Sequence, residues 1–227
     1  AYPFYISAGI GVITLVATLM IKYDDKPDGE HEDVGHDWGA ALSGSLLSIY
    51  AVRGISMFNM IFRHSFLPVY LNESPNFMAS EVQIGAYLTI AGLATSASQI
   101  FLGDLNDKIG SKKMIVSFVA LLGISYLGLI WFNGLFPLYV IALIQGVLMA
   151  GTDMSMMIHL MKVMPEGRTG IIMGLYSESE NIGGLIANPG LGYVYDNFGS
   201  IYSIILLTSA LLLTSIVSGA TLRSSNK

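Results

Sequence analysis

Four polar side chains, Arg53, Ser56, Asn59 and Arg63, interrupt an otherwise apolar stretch of the chain. At about 100° per residue they fall within an arc of about 120°, with His64 at its edge and Ile55, Phe58, Ile61 and Phe62 elsewhere. Arg53 is close enough to the end of the stretch to snorkel out of it, whereas Arg63 lies further in. A second apolar stretch repeats the pattern with the opposite charge: Gly174, Ser177, Glu178, Asn181, Gly184 and Asn188 share one face, and Glu180 sits beside it. Burial and a nearby arginine pull a carboxylate's proton affinity in opposite directions, so Glu178 and Glu180 are candidates to carry a proton, with His64 a third. The alternative is a static ion pair with an arginine. Asp153 lies about eight residues inside a third stretch and shares its face with Gly146, Met149, Ala150, Met156 and Met157, a small and deformable apolar wall around one charge.

Other chemistry is not indicated. His31-Glu32-Asp33-Val34-Gly35-His36-Asp37 has metal-capable side chains, but the spacing fits no zinc pattern and reads as a solvated acidic linker, so no metal is expected. No glycine-rich loop runs into Lys-Ser or Lys-Thr, and no nucleophile, base and acid come together. Neither an enzyme nor a cofactor is implied. The net charge of -5 points away from nucleic acid, and seven of the sixteen carboxylates lie between Tyr23 and Asp37. Cysteine is absent, which excludes disulfides and thiolate metal sites.

The elements that must position these side chains are membrane spans. Hydrophobic residues make up 53% of the 227 and charged residues only 12%, against about 25% in an ordinary soluble domain, so an integral membrane protein is expected. Seven segments can cross a hydrocarbon core of about 30 Å: Pro3 to Ile21, Leu42 to Leu71, Ser80 to Leu102, Met114 to Phe132, Leu135 to Met161, Gly170 to Tyr195 and Ile201 to Leu222. Threading them places Lys22, Lys26, Lys108, Lys112, Lys113, Lys162, Arg168, Arg223 and Lys227 on one face, which is therefore read as cytoplasmic in a cell membrane. Tyr70, Trp131, Tyr139, Tyr193, Tyr195 and Tyr202 gather near the other boundary as an aromatic belt. Gly103-x-x-x-Asp107-x-x-Gly110 recurs as Gly192-x-x-x-Asp196-x-x-Gly199, and an interval of three spans reverses direction, as in two inverted three-helix units. The chain begins at Ala1 inside an apolar run with neither an initiating Met nor a basic leader, and is read as a piece of a longer polypeptide.

The run from Gly103 to Lys113 reads as a charged turn between two spans. It resembles the signature of the major facilitator superfamily of secondary transporters, roughly G-x-L-x-D-[RK]-x-G-[RK]-[RK]-[RK]: Gly103, Leu105, Asp107, Lys108, Gly110, Lys112 and Lys113 match, and Ser111 departs at one basic position. The resemblance implies an all-α membrane fold, the second half of a twelve-helix transporter built from inverted three-helix repeats. Residues 1–22 would then be the last helix of the N-terminal bundle, 23–39 an acidic cytoplasmic linker, 40–222 the six-helix C-terminal bundle and 223–227 a cytoplasmic tail. It also implies that Asp107 contacts the eleventh helix, here Gly170 to Tyr195, as a conformational latch. The family places its seventh and tenth helices beside a central cavity, which makes Arg63, Asn59, Ser56, Arg53, Asp153 and Gln145 candidate substrate contacts. Gly184, Pro189 and Gly192 resemble a glycine-proline pattern of the family's exporters, here in the eleventh helix, where small residues allow close approach and a proline bends. The expected activity is alternating-access transport of a small organic solute, coupled to protons and directed at an organic anion, with the bilayer and the N-terminal half as partners. The alternatives are a multidrug or lipid exporter of the same fold, or a membrane receptor that does not transport.

Overall fold

The computed structural model describes residues 38–165 and 167–222. The expected first span, the acidic segment through Asp37 with its histidines, and the tail after Leu222 lie outside the described residues. After a helical turn at Trp38–Ala41 come six long helices: α1 (Gly44–Glu73), α2 (Glu81–Ile109), α3 (Ser111–Trp131), α4 (Leu135–Val163), α5 (Thr169–Phe198) and α6 (Ser200–Thr221). Their lengths of 21 to 30 residues reach at least about 30 Å at about 1.5 Å per residue. All but α5 are also apolar enough to count as membrane spans on composition. In α5 the apolarity is diluted by Glu178, Glu180, Asn181 and Asn188, which are the residues that make it chemically interesting.

Local signals explain the boundaries. Ser80 and Gln83 form a reciprocal capping box at the start of α2, with Ser80 N–H donating to Gln83 Oε1 at 2.8 Å. The charged run after Gly103 is not a loop: α2 continues to Ile109, and only Gly110 leaves the helix, at φ +90°. The expected eleven-residue turn is therefore one residue, because polar side chains at a helix end stay solvated while only a glycine takes a left-handed φ cheaply. The second copy behaves identically, with Gly199 at φ +95° ending α5 and opening α6. Gly110 N–H donates to Asn106 O and Gly199 N–H to Tyr195 O, so the sequence repeat is a repeat of backbone geometry. Pro189 leaves α5 continuous.

The packing obeys the same repeat. α2 packs on α4, α1 on α5, and α3 on α6 and α4, and α6 also packs on α1. Exchanging the triplet α1, α2, α3 for α4, α5, α6 maps this set onto itself. The pairs α1–α5 and α2–α4 close over glycine. A Cβ on Gly183 would overlap the Gly54 carbonyl, and one on Gly146 would overlap the Ala91 carbonyl and sit 2.8 Å from Ala94 Cβ. Lipid tails are as apolar as leucine, so such close contacts and interhelical hydrogen bonds hold the bundle. Thr95 donates to Gly146 O at 3.0 Å, Thr208 to Gly123 O at 3.1 Å and Ser215 to Val116 O at 2.7 Å. Tyr70 belongs to this interior and not to the aromatic belt, since its hydroxyl donates to Leu129 O at 2.7 Å. Trp131, Tyr193 and Tyr202 are exposed, with Phe198 meeting Tyr193 edge-on and Tyr202 at a tilt.

Gly146→Val forces α2 and α4 apart and is expected to cost about 3 kcal/mol as an overpacked interface. Gly92→Ala, where a Cβ meets nothing within 4 Å, is expected to be neutral or slightly stabilising. Thermal unfolding of the two purified variants checks this, and equal melting temperatures would contradict the packing.

Candidate functional site

Arg53 on α1 joins two other helices. Its Nη1 donates to Asp153 Oδ1 on α4 at 2.8 Å, and its Nη2 pairs with Glu180 Oε1 on α5. The guanidinium lies over the Tyr176 ring, 5.2 Å from its centre, one helical turn before Glu180. Arg53, Asp153 and Glu180 stand about nine, ten and eleven residues from the ends of their helices on the basic side, so all three lie about 14–17 Å in. One cation thus serves two carboxylates. The set carries one excess negative charge when both are ionised and is neutral with one proton, and charge inside a membrane is costly. Both arginine Nη groups meet these carboxylates, while Arg53 Nε has no partner in this arrangement.

Arg63 lies about ten residues, or about 15 Å, further along α1. It is in a π-helical turn, Phe62–Phe66, that precedes Pro68. Proline cannot donate to the carbonyl four residues back, and a wider turn absorbs that break. The Arg63 side chain is buried, with Nη1 on Met149 Sδ at 3.0 Å and Nε unpartnered. Around it, the Tyr126 hydroxyl donates to Asn59 Oδ1 at 2.5 Å, and the Tyr87 hydroxyl donates to Gln145 Oε1. Between the two charged levels lies a cavity of about 50 Å³ lined by residues that include Arg53, Ser56, Asn59, Met149 and Asp153. That is room for a water molecule or two. Ser56 turns its hydroxyl back onto Val52 O at 2.9 Å.

The other sequence candidates separate. Glu178 is exposed and accepts from Asn181 Nδ2 at 3.3 Å, apart from the ion-paired Glu180. His64 is exposed although its neighbour Arg63 is buried, so the three expected proton carriers do not form one cluster. Spacing along one helix could not reveal this, because the pairing of Arg53 with Glu180 spans two helices. Tyr87, Tyr126 and Tyr176 were missed. Tyr176 was detectable four residues before Glu180 on the same face, whereas Tyr87 and Tyr126 looked like ordinary aromatic residues of apolar spans.

In the charged motif, Leu105 packs beside Leu102, Met114 and Ala150, while Asp107, Lys108 and Lys113 are exposed and Lys112 is half-buried. Among the described residues Asp107 has no ion-pair or hydrogen-bond partner. It therefore makes no hydrogen bond or ion pair to Gly170 to Tyr195 in this arrangement, in which α2 packs mainly on α4 and α5 on α1. Ser111, where the motif departs from a basic residue, is buried with its hydroxyl 3.0 Å from His159 Nδ1. A lysine there would bury its charge, which accounts for the departure.

No curated protein matches the chain. The family model of the Major Facilitator Superfamily matches residues 53–226, a range that contains the Arg53 ion pairs, the Arg63 level and both glycine-ended motifs. With membrane-length helices, an all-helical bundle and a family match over most of its length, the chain is a multi-pass membrane protein and belongs to the Major Facilitator Superfamily.

Proposed function

We propose that the chain carries out proton-coupled secondary transport of a small organic solute by alternating access, as the C-terminal six-helix bundle of a transporter whose N-terminal half supplies the other wall of the solute pathway. In this reading residues 40–222 are the bundle, the Lys/Arg-bearing loops and the C-terminus face the cytoplasm, and the protein resides in the cell membrane. Membrane transport itself follows from the family. The finer reading rests on the sharing of Arg53 between Asp153 and Glu180.

The shared guanidinium links protonation to helix contacts. The charged groups facing Arg53 are Asp153 from α4 and Glu180 from α5, with Tyr176 beneath it. A proton on Glu180 neutralises that carboxylate and leaves Arg53 to Asp153, which weakens one tie between α1 and α5 while keeping the tie to α4. The remaining ties between α1 and α5 include the Gly54–Gly183 approach, the Phe66–Tyr195 ring contact, the Arg53 guanidinium over Tyr176 and the Tyr195 hydroxyl donating to Glu73 Oε2 at 3.3 Å. A ligand shifts a two-state equilibrium only by its different affinity for the two states. A proton does so here when the two arrangements differ in whether Glu180 meets Arg53. The charged end of α2 then acts at the cytoplasmic surface, where the exposed Asp107 engages the helix Gly170 to Tyr195 in another conformation.

Glu180→Gln mimics the protonated carboxylate permanently. In proteoliposomes, an imposed gradient of about one pH unit supports about tenfold solute accumulation per coupled proton. The variant is expected to lose that accumulation while retaining solute exchange across the membrane. Unchanged gradient-driven accumulation in Glu180→Gln would sink the proton-coupled reading.

A further inference from the structure

Arg63 is a second charge inside the bundle, and it lacks a carboxylate partner among the described residues. It is 6% exposed. Its Nη1 is spent on the Met149 thioether, and its Nε has no acceptor. A guanidinium has five N–H donors and a thioether is a weak acceptor, so the side chain is short of anionic oxygen in a place where that shortage is costly. It is about 15 Å from the nearer end of α1, too far for its own length to reach the membrane surface. Gln145 is 1% exposed, and its Nε2 is also unpartnered because its Oε1 is held by Tyr87. Arg63 lies within Coulombic reach of both the Tyr87 and Tyr126 hydroxyls. Those hydroxyls spend their protons on amide oxygens and supply no charge to balance it.

We infer that Arg63, assisted by the Gln145 amide, binds the carboxylate of the transported solute, and that the solute is a monocarboxylate. This rests on the transport reading above and names the substrate class. Two carboxylate oxygens lie in one plane at the spacing of two parallel guanidinium N–H groups, which a single ammonium or hydroxyl does not match. One guanidinium balances one negative charge. The lysines of the described helices, Lys108, Lys112, Lys113 and Lys162, stand in terminal turns and not beside Arg63, which disfavours a dianionic phosphate. Met149 Sδ occupies the position of the first carboxylate oxygen. Because Met149 also lines the cavity between the two charged levels, a solute entering there reaches Arg63 by turning that unbranched side chain aside. A cavity of about 50 Å³ does not hold an organic solute, so binding at Arg63 requires this space to widen. A monoanion carried together with one proton is neutral overall, in keeping with the one proton that neutralises the Arg53 set.

The test uses the purified full-length protein, with benzoate, lactate and propionate compared with benzamide, lactamide and propionamide. At least one carboxylate is expected to raise the melting temperature while its amide does not. Arg63→Lys keeps the charge but loses the fork, and should weaken that carboxylate by about tenfold or more. Met149→Leu removes the competing acceptor at similar volume and should tighten it severalfold. Stabilisation by none of the carboxylates, or equal stabilisation of wild type and Arg63→Lys, overturns the inference. Should Arg63→Lys fail to fold, an unchanged affinity in Met149→Leu overturns it instead. Proteoliposome flux separates this from the transport reading. Carboxylate binding without flux keeps the Arg63 site and rejects transport, while proton-driven flux of solutes indifferent to Arg63→Lys keeps transport and rejects the site.

Discussion

A lone guanidinium placed between two carboxylates inside a membrane bundle constrains nearly everything else about this chain. Three helices must bring Arg53, Asp153 and Glu180 to the same depth, about 14–17 Å from the basic end, and their lengths and packing partners do so. Unpaired charge is expensive there, so the set has a neutral composition only with one proton aboard. Removing Arg53 leaves two carboxylates without their partner, whereas removing either carboxylate leaves a neutral pair. Burying an ion pair therefore stabilises little by itself, but it fixes which helices meet and in what protonation state.

The scaffold around that set is repeated. α1 closes on α5 through Gly54 and Gly183, and α2 closes on α4 through Gly146 and Ala91, at corresponding places in the two triplets. Each triplet also ends its second helix on a left-handed glycine. The Arg53 set breaks the repeat, because the α2–α4 pair holds the neutral bond from Tyr87 to Gln145 where the α1–α5 pair holds Arg53 and Glu180. Repetition thus supplies the frame, and departure from it supplies the chemistry.

The helices themselves were legible in the sequence, since long apolar runs have few alternatives in a membrane. All six described helices fall within a few residues of the expected spans except α2, whose last seven residues read as a turn because they are charged. The glycine repeat was legible too, and its backbone meaning appeared only with the φ values of Gly110 and Gly199. At the site, the polar arc on α1 held Arg53 and the arc on α5 had Glu180 beside it, and a pairing of carboxylate with arginine was one of the expectations. They did not give which pairs form. Arg53 with Glu180 is a contact between residues 127 apart, and one helix's periodicity carries no information about its neighbour's rotation. The isolation of Arg63 was invisible for the same reason, as it depends on Met149 and Tyr126 from two other helices.

The central claim is that the Arg53 set exchanges one proton as the transporter changes conformation. Infrared difference spectra between solute-loaded and solute-free full-length protein, in ordinary and heavy water, observe a carboxylic acid directly through its carbonyl stretch. The account predicts an isotope-sensitive carboxylic acid band that differs between the two states and disappears in Glu180→Gln. A spectrum without such a band, or one that Glu180→Gln leaves intact, would contradict it.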